Sequence, residues 1–149
     1  MGLINHIDGK KIYFDSNIFI YLFENHEPYT SLILPVIEAI ENGLLHTFTS
    51  ELTIAEVLVK PFKLNNIHWQ NAYRNGIQNS SALSVMPVTR TILIHAAQIR
   101  SETNMKLPDC IHLATAQLNG CNTFLTNDDD MKSINEITVL YLKKFISQI

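Results

Sequence analysis

The feature that most narrows the folds open to this chain is an alternation. Short, almost unbroken apolar segments recur at residues 10–15, 44–49, 83–88, 123–126 and 137–142, and longer stretches with helical periodicity lie between them. β-Branched and aromatic residues dominate the short segments, as in Lys10-Lys11-Ile12-Tyr13-Phe14-Asp15, and such segments favour strands. A strand apolar on both sides must be covered on both faces. Alternation of such strands with helices predicts βαβ units. The expected class is therefore α/β: three layers, α/β/α, with a mainly parallel five-stranded sheet flanked by helices.

Helices are expected over 18–23, 30–42, 52–59, 65–79, 89–102 and 108–119. Their ends carry physical signals. Ser16 or Asn17, then Ser50 and Thr89, stand where a side-chain oxygen can accept the first free backbone N–H groups. Ile33, Ile37 and Ile40 share one face, and Gly43 follows as a stop. Pro35 fits a first turn and kinks the helix if the helix starts earlier. Pro61 is expected to end the third helix. Pro108 opens the last one and Gly120 closes it, while Gly76 weakens the polar stretch 65–79.

Composition bounds the rest. At 149 residues, with 46% hydrophobic and 17% charged, the chain suits a single domain over 1–149. About two-thirds of the unfolded surface can be buried at this size, so no disulfide or metal is needed merely to hold it together. The longest apolar run, residues 18–23, is six residues, too short to span a membrane. Met1-Gly2-Leu3-Ile4-Asn5-His6 has neither the form of a secretory leader nor a myristoylation pattern. Cys110 and Cys121 fall in core segments, which predicts reduced, buried thiols and a cytoplasmic protein. The formal charge of −3 lacks the basic excess usual in nucleic-acid binders. Committing four of the 14 acids to a cation, however, leaves 10 against 11 basic residues.

Several acids stand where acids are costly. Asp15 ends the first strand and Asp128 follows the fourth; if those strands are neighbours, their carboxylates face each other at the point where strand order reverses. Glu56 sits in Leu52-Thr53-Ile54-Ala55-Glu56-Val57-Leu58-Val59, apolar on nearly every side. A pair with Lys60 at i+4 is one explanation; a site at the edge of the core is the other. Asp109, after Pro108, suits the helix dipole or a cap, or else the same site. Four acids from separate segments suit a hard divalent ion, Mg²⁺ or Mn²⁺. No His or Cys pair has zinc spacing, and neither a Walker loop nor a Rossmann glycine pattern occurs. His112, one turn after Asp109, reads first as a packed or capping residue, with a place at the border of the site as the alternative.

These residues bring a family into view. From Lys11 to about Leu142 the chain resembles PIN-domain ribonucleases, in particular VapC-like toxins of type II toxin–antitoxin pairs. The resemblance rests on four motifs in order: Ile12-Tyr13-Phe14-Asp15-Ser16-Asn17, Thr49-Ser50-Glu51-Leu52-Thr53-Ile54-Ala55-Glu56-Val57, Leu107-Pro108-Asp109-Cys110-Ile111-His112-Leu113-Ala114-Thr115-Ala116, and Phe124-Leu125-Thr126-Asn127-Asp128. It implies a PIN-like fold and an acidic metal pocket of Asp15, Glu56, Asp109 and Asp128, with Asn17 and Thr126 as polar neighbours that contact substrate. It further implies Mg²⁺- or Mn²⁺-dependent cleavage of RNA, a small antitoxin partner and a homodimer. Asp130 is a supplementary acid on this reading and Asp129 a solvated turn residue. Grooves near Tyr21, Leu22, Phe23 and Ile33 would receive the antitoxin, unless these are core residues. Lys60, Lys63, Arg74 and Arg100 are the candidate grips on RNA, with a plain solvated-surface role as the alternative for each. Three rivals remain: a PIN-fold RNA-processing nuclease without antitoxin, a non-catalytic RNA-binding or scaffold module, and a metal phosphotransferase with a nucleophilic Asp.

Overall fold

The computed structural model describes residues 2–148. Met1, where the leader reading begins, and Ile149 lie outside the described residues. Eleven regular elements follow one another: β1 (Lys11–Phe14), α1 (Ser16–Glu24), α2 (Tyr29–Glu41), β2 (His46–Ser50), α3 (Glu51–Lys63), α4 (Ile67–Gly76), β3 (Leu83–Met86), α5 (Arg90–Thr103), α6 (Leu107–Leu118), β4 (Thr123–Thr126) and β5 (Thr138–Tyr141). Short 3₁₀ segments at Leu3–His6 and Leu142–Gln148 bracket them. The strands form one five-stranded sheet in the order β3-β2-β1-β4-β5. Every pairing is parallel, as the two-faced apolar strands predict. Among the described residues no helix is long and apolar enough to cross a membrane.

Strand order explains where a ligand can sit. The chain runs outward from β1 through β2 to β3, then returns to lay β4 on the other side of β1. Order therefore reverses between β1 and β4, and the crevice beyond their carboxyl ends is the usual binding place in such sheets. Phe14 pairs with Leu125 there, and Asp15 N–H donates to Leu125 O at 3.0 Å.

Side chains alternate across the sheet and feed two cores. Ile12 and Phe14 pack with residues of α1, α2 and α3. Tyr13 points the other way and packs with Phe124 and residues of α5 and α6. Asp15 shares the parity of Tyr13, so both can meet α6. Cys110 and Cys121 are buried free thiols.

Several boundaries differ from the sequence reading. Helix α1 is capped by Asp15, whose carboxylate accepts from Ser16 N–H at 2.8 Å, rather than by Ser16 or Asn17. Pro61 does not end α3; it lies inside and the helix runs to Lys63. Pro35 likewise sits inside α2, beyond its first turn. A proline loses one helical hydrogen bond, and Pro61 sits buried in α3, so packing offsets the loss there. Helix α4 spans only Ile67–Gly76, capped by Asn66. Ser50 and Thr89 cap α3 and α5 as expected. Ile33 is fully buried and belongs to the core rather than to any groove.

Candidate metal centre

The carboxyl end of β1 carries Asp15, only 5% exposed. Its Oδ1 accepts from Ser16 N–H and its Oδ2 from the Thr126 hydroxyl at 2.7 Å. Thr126 closes β4 and works as a hub. While donating to Asp15, its oxygen accepts from Asn17 Nδ2 at 3.3 Å and from Asp128 N–H at 3.0 Å, which uses the full capacity of a hydroxyl. One short polar residue thus ties β1, α1 and the loop after β4 together. Thr126 touches Asp15 directly, and Asn17 reaches it through Thr126.

Glu56 reaches the same place from α3. It does not pair with Lys60, which instead lines a cavity of about 160 Å³ with Glu24, Pro61, Leu64, Asn66 and Trp69. Its Oε1 meets His112 Nε2 at 2.5 Å. His112 is 1% exposed. Its Nδ1 lies 2.6 Å from Tyr13 Oη, and Nε2 also faces Asp15 Oδ1 at 3.8 Å. Ligand atoms of Asp15, Glu56 and His112 all fall within 4.8 Å of one another. The packed-residue reading of His112 is right about its burial and misses its partners. The signal was present in sequence: a helical turn separates His112 from Asp109, so both project from one face of α6.

Asp109 lies in the first turn of α6, half-buried, and no side chain caps that helix. Burial first, then the charges of Asp128 and Asp15, push its carboxyl up to about 6. Asp128 is half-buried beside Thr126, its Oδ1 accepting from Asp130 N–H at 2.9 Å. The fold therefore brings Asp15 and Glu56 together on His112, sets Asp109 close enough to feel all three, and sets Asp128 close enough to act on Asp109. Asp129 is exposed and pairs with Lys143 at 2.7 Å. Burial also raises the Asp15 carboxyl above its ordinary value, with His112 and Thr126 opposing the shift. For His112 burial lowers proton affinity, but the Glu56 hydrogen bond and the Asp15 charge outweigh it and the net shift is upward. Crowded carboxylates of this kind hold protons or a cation.

The residues fit a divalent ion by an independent mark. Asn17 Oδ1 is buried with no partner among the described residues. Its amide nitrogen is spent on Thr126, and an acceptor left so costs about 1–3 kcal/mol. A hard cation or its water satisfies such an oxygen.

Of the cations named from sequence, Arg100 is tied to Met105 O at 2.6 Å and to Asn104 O, and Arg74 lines a depression with Glu51, Ile54 and Gln78. Two lysines not singled out from sequence share a depression with Asp130 instead. Lys106 and Lys132 line a depression of about 290 Å³ with Asn104, Met105 and Asp130. Each stands beside a motif, Lys106 just before Leu107-Pro108-Asp109 and Lys132 just after Asp128-Asp129-Asp130.

The parallel sheet, with Asp15 and Glu56 brought together on His112 at its switch point, has counterparts among known proteins. Residues 12–137 match the PIN domain, and the chain belongs to that family. No curated protein matches the chain. Among solved structures, a toxin–antitoxin complex from Klebsiella pneumoniae is similar at 27% identity, covering 88% of this chain and 97% of the matched one, with a TM-score of 0.65. VapBC2 from Rickettsia felis bound to a promoter DNA fragment shares 15% identity over 88% and 98%, TM-score 0.68. DNA-bound VapBC from Salmonella typhimurium shares 20% over 90% and 99%, TM-score 0.67. The latter two speak for the fold alone.

Proposed function

We propose that this chain is a single PIN nuclease domain, cytoplasmic, that cleaves RNA phosphodiester bonds with Mg²⁺ or Mn²⁺ and serves as the toxin of a toxin–antitoxin pair. The observation that carries the reading is convergence: carboxylates from β1, α3, α6 and the loop after β4 gather at the β1/β4 switch point. Asp15, Glu56, Asp109 and Asp128 are the residues assigned to the ion and the chemistry. The likeness to toxin–antitoxin structures supports the biological role.

Each residue has a definable task. Asp15 is pre-oriented by Ser16 N–H and Thr126, so no reorganisation is needed when it takes up a ligand. Glu56 is held against His112 with its carboxylate within 4.8 Å of that of Asp15. Asp109 adds a carboxylate that feels both, and Asp128 one that feels Asp109. A divalent ion bound among them supplies Lewis-acid stabilisation of the phosphate and a more acidic water. Lys106 and Lys132 are assigned to hold the RNA backbone and Asn17 to border the scissile group, whereas Thr126, fully buried, acts on it only through Asp15.

The antitoxin contact is assigned to the α1 and α3–α4 side. Tyr21, Leu22 and Phe23 are partly buried there, while Val59, Phe62, Leu64 and Ile67 are exposed by half or more. An apolar helical segment suits such a groove. A homodimer is the expected assembly of the free toxin.

The deciding experiment is incubation of the purified protein with RNA in Mg²⁺ or Mn²⁺, with EDTA as control. Cleavage that stops with EDTA is expected. Metal-independent cleavage, or none with either ion, sinks the proposal.

A further inference from the structure

His112 is the group in the pocket that an acidic metal site does not require. A buried imidazole needs one partner on each ring nitrogen, and here the forward nitrogen faces two carboxylates rather than one. This one is held from behind and aimed forward. Its Nδ1 lies 2.6 Å from Tyr13 Oη, and Tyr13 itself is fully buried and stacked on Phe124 with ring centroids 4.8 Å apart. The ring therefore cannot turn away. Its Nε2 lies between two carboxylates, 2.5 Å from Glu56 Oε1 and 3.8 Å from Asp15 Oδ1. One N–H can serve only one of them, and 3.8 Å is too long for a hydrogen bond. Asp15 is thus left facing an imidazole nitrogen that does not bond it.

Metal-ligating histidines share this build: one ring nitrogen fixed by a polar partner, the other presented to the ion. The hydroxyl of Tyr13 can accept as well as donate. An incoming ion displaces the proton that Nε2 shares with Glu56. With the remaining ring proton on Nδ1 and donated to Tyr13, Nε2 then offers a lone pair beside Asp15 and Glu56, and the three ligand atoms already fall within 4.8 Å of one another.

We propose that His112 Nε2 is a direct nitrogen donor to the divalent ion, together with Asp15 and Glu56, and that this mixed nitrogen–oxygen set makes the centre select Mn²⁺ over Mg²⁺. The inference rests on the reading of the pocket as a metal centre and adds to it the donor set and the preferred ion. The chemistry is general. Mg²⁺ keeps to oxygen ligands and sheds water reluctantly, whereas first-row ions accept imidazole.

Untagged full-length protein loaded with Mn²⁺ alone tests this by pulsed electron paramagnetic resonance. A nitrogen hyperfine coupling is expected, and it changes when histidine is labelled with heavy nitrogen. That measurement needs no variant, so a folding defect cannot obscure it. Competition of Mg²⁺ against bound Mn²⁺ adds the selectivity. The parent is expected to prefer Mn²⁺ by about tenfold or more, and His112→Asn to lose most of that preference while Mg²⁺ affinity changes about twofold or less. Mn²⁺ bound without histidine coupling overturns the donor assignment and leaves the carboxylate centre standing. Equal weakening of both ions in His112→Asn also overturns it, because that is the mark of a residue that only props up Glu56. Absence of Mn²⁺ binding in the parent overturns this inference and the metal-centre reading together.

Discussion

Two neighbouring strand pairs end at the same edge of this sheet and do opposite things there. At the β1/β4 end the chain buries a carboxylate, Asp15, and spends a hydroxyl, Thr126, on holding it. At the β2/β3 end, where Ser50 pairs with Met86, the polar group turns back on its own helix: Ser50 accepts from Leu52 N–H at 3.0 Å. The strands are alike in length and direction, though β3 is less buried than β4. What differs is the reversal of strand order, which opens a crevice at one junction. On the proposed reading, polar groups at the first junction serve a ligand; those at the second serve the fold.

The largest expected effect breaks the first junction chemically. Asp15→Asn should lower RNA cleavage by about a thousandfold, the several kcal/mol that a metal ligand controls. Because burial opposes the charge of Asp15, the metal-free variant should melt no lower than the parent. A calorimetric scan beside a cleavage assay measures both. Cleavage at the parental rate would falsify the site assignment.

Next comes the hub. Thr126→Val removes the donor to Asp15 and the acceptor for Asn17 and Asp128 together. A cost of about 2 kcal/mol is expected in urea unfolding, since a hydrogen bond to a charged group is worth about 1.5–3 kcal/mol. Mn²⁺ affinity should fall with it. A loss confined to stability, with metal affinity intact, would mean Thr126 serves the fold as Ser50 does.

The third prediction is a pH dependence confined to the acidic junction. Asp109 titrates at about 6 in the folded protein against 3.8 for an ordinary aspartate. A folded value above the unfolded one means stability is present in full below the unfolded value and is lost as pH rises through the folded one. Asp15 and His112 shift in the same direction. In EDTA the melting temperature should therefore decline from about pH 4 to beyond pH 6, and excess Mn²⁺ should flatten the decline. Metal-free stability that rises steadily across that range would contradict the crowding of the acids.

The smallest effect belongs to the quiet junction. Ser50→Ala should cost about 1 kcal/mol, the usual worth of a lost N-cap, and leave metal affinity unchanged. Thermal unfolding and Mn²⁺ titration of this variant give the baseline for the others.

Much of this architecture was legible in the residues alone. Strand periodicity, the caps Ser50 and Thr89, and the pairing of Pro108 with Gly120 are local signals, because backbone hydrogen bonding and φ preference act within a few residues. Errors fell where tertiary packing overrides local preference. Pro61 reads as a helix end, yet it is buried within α3. Asp15 reads as a strand terminus, yet it also caps α1. Ile33 reads as groove or core, and the sheet decided for core.

The residues by themselves determined that this would be a parallel α/β sheet with costly acids after particular strands, since periodicity and the expense of burying charge need no knowledge of contacts. Only the fold decided that β4 lies against β1, that Glu56 turns from Lys60 to His112, and that Tyr13 pins the imidazole from behind. Those partners stand 56 and 99 residues from His112 along the chain. Separations of that size leave no trace in local pattern, because what joins them is the order of the strands.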